Sequence, residues 1–179
     1  MPTLVRGDLL PAMVSAPPGP VARDLARSLA TFVAPGVDTL YRGHPSIVWR
    51  EALGSNVLDV DGNLYVDLTS GFGVAAVGHR HPRVVAAISK QSGELLHALG
   101  DVNTHSLLAE LAARLSSLAP VDDAQMFPAI SGAEAVEIAI KTATLNTRRR
   151  GILAFDPSYH GLTLGALAVG SRSAFRAPF

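Results

Sequence analysis

The stretch Ser131-Gly132-Ala133-Glu134-Ala135 lies between a strand-like apolar run, Gln125–Ile130, and the start of a long amphipathic helix. The first backbone N–H groups of a helix have no intrahelical acceptor, and they lie at the positive end of the helix dipole. A helix that begins directly after a strand and a Ser-Gly turn is therefore suited to bind an anion, above all a phosphate group.

A second interpretation of the same residues needs no ligand. Ser131 is followed three positions later by Glu134, which is the spacing of a capping box. Such a box satisfies some of the free N–H groups from within the chain. Taken alone, this motif favours the plain cap, and the two interpretations remain open at this stage.

A further strand-like run, Gly151–Phe155, leads into a loop with the sequence Asp156-Pro157-Ser158-Tyr159-His160-Gly161. Ligands of open α/β sheets lie outside the carboxyl ends of the strands. Two consecutive strands would bring the helix start and this loop to the same edge. Tyr159 could then stack on a flat ligand whose phosphate is held by the helix. Considered alone, Tyr159 is equally typical of a half-buried tyrosine beside a proline-containing turn.

Five motifs in this order resemble the class III aminotransferases, which are pyridoxal-phosphate enzymes of fold type I. The resemblance extends from about Tyr41 to the last residue. The motifs are Asp59-Val60-Asp61-Gly62-Asn63-Leu64-Tyr65-Val66-Asp67, Gly71-Phe72-Gly73-Val74, Gly78-His79-Arg80-His81-Pro82, Ser131 to Ala135, and Tyr159-His160-Gly161.

The resemblance implies a role for each matching residue at the cofactor, pyridoxal 5'-phosphate. Gly132 and Ala133 match the positions whose backbone N–H groups hold the phosphate, with Ser131 beside them. Tyr159 matches the aromatic residue that stacks on the pyridine ring, and His160 follows it in the floor of the loop. Ala133 is a departure, because many relatives have Ser or Thr there and gain a hydroxyl contact.

The segment Gly71–Val74 looks like the one that lines the substrate entrance in the family, with Phe72 as its wall and a substrate-binding residue. The implied reaction is transfer of an amino group from an amine or amino acid donor to a 2-oxo acid. Gly71, Gly73 and Gly78 do not form a dinucleotide fingerprint, because the third glycine comes too late.

No catalytic residue is assigned, because the family requires a lysine that forms a Schiff base with the cofactor. The chain has two lysines, Lys90 and Lys141, and neither is predicted at a strand end. Lys141 follows Glu137 by four residues, which predicts an exposed ion pair on the helix surface. The expectation is therefore an amino-terminal portion that is inactive alone. The alternative is a non-catalytic remnant that binds phosphate ligands or pairs with another subunit.

Composition excludes several other classes. The chain has 15 basic and 15 acidic residues, so it has no electrostatic footprint for nucleic acid or for an anionic membrane. It has no cysteine, which fits a cytoplasmic location. The histidines are spaced irregularly, so no metal site is expected. A homodimer is expected of the full-length parent only.

The predicted fold class is α/β, with an N-terminal helix and a small antiparallel sheet before the first part of a mostly parallel fold type I large domain, here truncated. The expected divisions are a leader and helix in 1–40, a small-domain hairpin segment in 41–70, and the first part of the cofactor-binding domain in 71–179. A leader around Ala16–Pro20 is expected to be stiff and without structure. The regular elements expected are a helix over Val21–Phe32 that stops near Pro35-Gly36 and strands at Ile47–Ala52, Val57–Val60 and Leu64–Asp67 around an Asp61-Gly62 turn. Two further helices are expected, one after Pro82 and one after a cap at Asn103 or Thr104. Their apolar stripes predict buried faces, formed by Val84, Val85, Ile88 and Leu95 in the first helix and by Leu107, Leu108, Leu111, Leu115 and Leu118 in the second.

Overall fold

The computed structural model describes residues 3–34, 47–100 and 102–179, and it divides the chain into two compact units, Met1–Ala98 and Leu99–Phe179. The predicted helix stop at Pro35-Gly36 and the start of the resemblance near Tyr41 lie outside the described residues. The divisions expected at residues 40 and 70 stay predictions.

The first unit is built on a three-stranded antiparallel sheet in the order β1-β2-β3. Its strands are β1 (Trp49–Leu53), β2 (Asn56–Asp59) and β3 (Leu64–Val66), and helix α1 (Pro20–Phe32) precedes them. The predicted helix and hairpin are confirmed. The hairpin turns where expected, because the N–H of Gly62 donates to the carbonyl of Asp59 over 3.2 Å and Gly62 adopts φ +90°.

Polar residues form much of the interior of this unit. Asn56, Asp59 and Asn63 are each fully buried. The Asp59 carboxylate accepts hydrogen bonds from the N–H of Asp61, from both the N–H and the side-chain amide of Asn63, and from the hydroxyl of Tyr65, all at 2.8–2.9 Å. Burial alone would raise the pKa of Asp59, but these donors outweigh it and hold the pKa below its ordinary value.

The N-terminal segment is held to the sheet by these buried amides. The side-chain oxygen of Asn63 accepts from the N–H groups of Val14 and Ser15, and Asn56 exchanges two hydrogen bonds with the backbone of Leu9. Ala12 pairs with Leu64 through two further backbone hydrogen bonds. Of the leader predicted over Ala16–Pro20, residues 16–19 have no regular secondary structure, and Pro20 already begins α1. The segment before residue 16 is fixed by the tertiary hydrogen bonds of Leu9, Val14 and Ser15.

Asp61, in the hairpin turn, also begins helix α1. Its two carboxylate oxygens accept from the N–H groups of Val21 and Ala22, at 2.8 and 2.9 Å. A carboxylate at this end of a helix satisfies free donors and interacts favourably with the dipole. The turn predicted from Asp61-Gly62 therefore has a second structural role that local sequence did not indicate.

Helix α2 (Pro82–Glu94) starts at its proline, as predicted. Helix α3 (Ser106–Leu118) begins after His105, so the predicted cap at Asn103 or Thr104 is wrong by one or two positions. The apolar stripes of both helices were expected to be buried, and this is also wrong. Neither helix packs against another element among the described residues. The stripe residues between 43 and 65% exposed are Val84, Val85, Ile88, Leu95, Leu107, Leu111, Leu115 and Leu118.

The second unit consists of α3, the long helix α4 (Gly132–Thr147), and two short helices, α5 (Leu164–Ala168) and α6 (Ser173–Arg176). Gln125–Ile130 and Gly151–Phe155 do not form strands, so these two local predictions fail. A strand depends on hydrogen bonds to a neighbouring strand, and no strand of this unit is available among its described residues. The C-terminal cap of helix α4 is Arg148, at φ +60°.

Two kinds of feature are absent from the described residues. None of the helices in those ranges is long and apolar enough to cross a membrane. Within the same ranges, no group of three or more histidine or acidic side chains is placed to hold a metal ion.

Candidate functional site

The start of helix α4 is capped from within the chain. Ser131 has extended backbone angles, φ −150° and ψ 160°, and its hydroxyl oxygen accepts from the N–H of Glu134 over 3.2 Å. The Glu134 carboxylate reaches back and accepts from the N–H of Ile130 over 2.6 Å. The predicted cap is therefore present, with its carboxylate bound one residue earlier than in the usual capping box.

This cap leaves the donors that matter for an anion unused. The N–H groups of Gly132 and Ala133 have no acceptor among the described residues. They lie in the first turn of a 16-residue helix, where the dipole favours negative charge. The two interpretations of Ser131–Ala135 are consequently compatible, because the capping box occupies other donors than those that a phosphate would use.

The Tyr-His-Gly loop packs directly on this helix start. Gly161 lies so close to Ala133 that a Cβ on Gly161 would be 2.9 Å from the Cα of Ala133. Gly161 also adopts φ +121°, which residues with a side chain rarely do. Tyr159 is two residues earlier, and two residues span at most about 7 Å. The structure therefore brings the free amides and the aromatic residue to the same end of α4.

The Tyr159 side chain is 56% exposed and is supported on one side by residues further along the chain. Its ring meets that of Phe175 edge-on, with centroids 6.4 Å apart, and the Arg172 guanidinium lies over it. The predicted half-buried tyrosine therefore describes the side packed by Phe175 and Arg172, and the residue as a whole remains exposed. His160 is exposed and has no side-chain partner among the described residues.

A buried connection that the sequence did not predict anchors the segment after the loop. Glu137 accepts hydrogen bonds from the N–H groups of Gly165 and Ala166, at 2.7 and 3.3 Å, and so caps helix α5. The Thr163 hydroxyl and then the Gly165 N–H lower the pKa of the Glu137 carboxyl. The predicted Glu137–Lys141 ion pair is wrong, because these donors occupy the carboxylate and no such pair occurs in the described ranges.

Phe72, the predicted wall of a substrate entrance, lies in the first unit. It is 97% exposed at φ +58°, in the turn that follows Asp67. The Asp67 carboxylate holds this turn, accepting from the hydroxyl and N–H of Thr69, from the Gly71 N–H and from the His79 ring. These bonds, the Thr69 hydroxyl first and His79 next, hold the pKa of Asp67 well below its ordinary range. The role of Phe72 stays a prediction.

A surface depression of about 250 Å³ also lies on the second unit. Among its lining residues are Phe155, Asp156, Ser171 and Arg176, and none of the predicted cofactor residues contributes to it. It offers no free helix amides. The start of α4 therefore remains the better candidate for binding an anion.

The comparison with protein families decides the identity of the fold. The class III aminotransferase model matches residues 40–179. The chain belongs to the class III aminotransferases. The resemblance drawn from the sequence motifs and the predicted fold class, α/β of fold type I, are both confirmed.

Individual proteins are similar to this chain over most of its length. The chain is 33% identical over 161 residues to an alanine/serine racemase of Pyrococcus horikoshii, which covers 90% of this chain and 33% of that protein. It is 40% identical over 143 residues to an acetylornithine aminotransferase of Corynebacterium efficiens. The match covers 76% of this chain and 35% of that protein. A solved structure is also similar, that of a taurine:2-oxoglutarate aminotransferase from Bifidobacterium kashiwanohense in complex with pyridoxal phosphate and glutamate. It superposes with a TM-score of 0.76 at 28% sequence identity, and the match covers 88% of this chain and 34% of that one. This class III chain thus spans about a third of the length of these relatives.

Proposed function

We propose that this chain supplies the phosphate-binding and ring-stacking part of a pyridoxal-phosphate-dependent transaminase. Family membership supports the reaction class, in which an amino group moves from an amine or amino acid donor to a 2-oxo acid. The observation that carries the proposal is the pair of free amides at Gly132 and Ala133, with Gly161 packed against the second. When bound, the cofactor supplies an electron sink for the amino acid's bonds, and the protein orients it.

In this proposal each residue has a limited task. The N–H groups of Gly132 and Ala133 bind the ester phosphate. The Ser131 hydroxyl accepts from the N–H of Glu134, the third residue of the helix, and so leaves the first two N–H groups available. Tyr159 covers one face of the pyridine ring, and His160 lines the same loop. Gly161 has no side chain and so allows that loop to lie against the phosphate site. Phe72 would contact the substrate.

Removing one amide donor without disturbing the helix tests the proposal. Gly132→Pro deletes the N–H at the first helical position, where proline is well tolerated, and Ser131 already has the extended conformation that proline requires before it. Nothing lies within 4 Å of a Cβ at Gly132. Pyridoxine 5'-phosphate is a suitable probe because it carries the ring and the phosphate but needs no lysine. We expect about tenfold weaker binding, measured by isothermal titration calorimetry, since a hydrogen bond to a charged group is worth roughly 1.5–3 kcal/mol.

Gly132→Ala is the matched control, because it keeps the N–H and adds a methyl group into open space. It should bind the probe as the unmodified chain does. Equal binding by Gly132→Pro, or no binding of the probe by the unmodified chain, would refute the proposed phosphate site.

The second expectation concerns the lysines. Lys90 has a side chain that is 77% exposed on α2, next to Glu94 at 4.0 Å, and Lys141 is exposed on α4. Neither lies in the loop beside Tyr159. We therefore expect that borohydride treatment of the 179-residue chain with pyridoxal 5'-phosphate leaves no site-specific adduct in peptide mass spectra, and that the chain alone transfers no amino group. A stoichiometric adduct at either lysine would contradict this.

The alternative is a non-catalytic remnant that binds phosphate ligands or pairs with another subunit. Calorimetry separates the two functions. A remnant that binds phosphate alone would take up inorganic phosphate and pyridoxine 5'-phosphate equally well. The proposed site should prefer the latter, because Tyr159 adds ring stacking.

A further inference from the structure

Tyr159 has a cation stacked on its ring. The Cζ atom of Arg172 lies 5.2 Å from the Tyr159 ring centroid and 6.0 Å from that of Phe175. A guanidinium at this distance is attracted by the negative face of an aromatic ring. Arg172 and Phe175 thus hold the tyrosine from two directions.

The residues that precede Tyr159 and Arg172 are also hydrogen-bonded to each other. The Ser171 hydroxyl accepts from the N–H of Ser158 over 2.7 Å and donates to its carbonyl over 3.1 Å. The Ser171 N–H donates to the same carbonyl over 3.3 Å. Ser158 directly precedes Tyr159, and Ser171 directly precedes Arg172. These three hydrogen bonds join the residue just before the ring to the residue just before the guanidinium, so they fix the two side chains next to each other.

No carboxylate competes for Arg172. None of the ion pairs among the described residues includes it. Within the same ranges its only hydrogen bonds are those that its carbonyl accepts from the N–H groups of Phe175 and Arg176. The aromatic pair is therefore its main electrostatic partner, and the guanidinium lies over one side of the Tyr159 ring, in a residue that is 56% exposed overall.

We propose that Arg172 is a positioning residue which holds the ring plane of Tyr159 so that a flat ligand stacks on the side away from the guanidinium. This inference rests on the proposed function, because it concerns the ring-stacking half of that site. Arg172 acts only through Tyr159. It does not contact the phosphate, which is bound at the start of α4.

The test separates stacking from phosphate binding by using two probes on the 179-residue chain. Arg172→Ala should weaken binding of pyridoxine 5'-phosphate about fivefold in calorimetry and leave the affinity for inorganic phosphate unchanged. Arg172→Lys keeps a cation near the ring and should recover most of the loss. Arg176→Ala is the matched control, because it removes an equal charge four residues further along the chain. The Arg176 side chain donates to the Gly170 carbonyl and has no aromatic ring beneath it among the described residues.

A second measurement needs no ligand. The side-chain N–H of Arg172 should show an upfield ring-current shift in ¹H–¹⁵N spectra, and Tyr159→Leu should abolish most of that shift. Absence of the shift in the unmodified chain would overturn the inference whatever the probes do. A loss of affinity for both probes would also overturn it, because Arg172 would then act as a phosphate contact.

The two proposals fail in different ways. Equal binding of pyridoxine 5'-phosphate by the unmodified chain and by Arg172→Ala refutes the role of Arg172 alone. Failure of the unmodified chain to bind that probe refutes the proposed function, and with it this inference.

Discussion

Replacing Gly161 by alanine is expected to destabilise the second unit by about 2–4 kcal/mol and to weaken binding of pyridoxine 5'-phosphate more than tenfold. The new Cβ would lie 2.9 Å from the Cα of Ala133, and both atoms belong to backbone-anchored groups that cannot swing away. The φ of +121° adds strain for any residue with a side chain. The loop must move off the helix start, and Tyr159 moves with it.

Urea denaturation followed by circular dichroism measures the loss of stability, and calorimetry measures the loss of affinity. Binding of inorganic phosphate should survive in the folded variant, since the amides of Gly132 and Ala133 are not altered. Gly151→Ala is the control, because Gly151 has nothing within 4 Å of a Cβ and no positive φ. If Gly161→Ala matches that control in both assays, the loop does not rest on α4 as described.

Asn63→Ala is expected to destabilise the first unit by about 3 kcal/mol. The substitution removes the acceptor of the Val14 and Ser15 N–H groups and one donor to the buried Asp59 carboxylate. Asn63 itself is fully buried, so water does not simply replace these bonds. The urea midpoint should fall, and limited proteolysis should begin within residues 3–18, because the N-terminal segment loses a main attachment.

Asn103→Ala serves as the comparison. Asn103 is exposed and has no side-chain hydrogen bond among the described residues, so its replacement should change stability by less than about 0.5 kcal/mol. A first unit that unfolds at the same urea concentration in Asn63→Ala and Asn103→Ala would contradict the structural role of the buried amide. Unchanged proteolysis of residues 3–18 would contradict the attachment of the N-terminal segment.

Features that depend on a few neighbouring residues could be predicted from the sequence. The Ser131–Glu134 cap, the Asp61-Gly62 turn and the start of α2 at Pro82 were all placed correctly. Each of these structures is stabilised by contacts within about five residues of chain, so the local composition carries the information. The family could also be inferred, because five motifs occur in a fixed order and their joint pattern is far more specific than any one of them.

Predictions that required a partner elsewhere in the chain failed. The segments 125–130 and 151–155 have the composition of strands but no strand beside them among the described residues. The leucine stripe of α3 has the period of a buried face, yet no element covers it in the same ranges. Periodicity reports which residues would be buried together. It does not report whether another element is present to bury them.

By itself, the sequence determined the first helix, the hairpin, the cap at Ser131, the family and the identity of the residues proposed to bind the cofactor. Only the tertiary structure decided that Gly161 rests on Ala133, that Glu137 caps α5 rather than pairing with Lys141, and that Arg172 lies over Tyr159. The physical reason is that these contacts join residues 13 to 28 positions apart, and their geometry depends on how the chain packs. Neither residue type nor spacing along the chain specifies that packing.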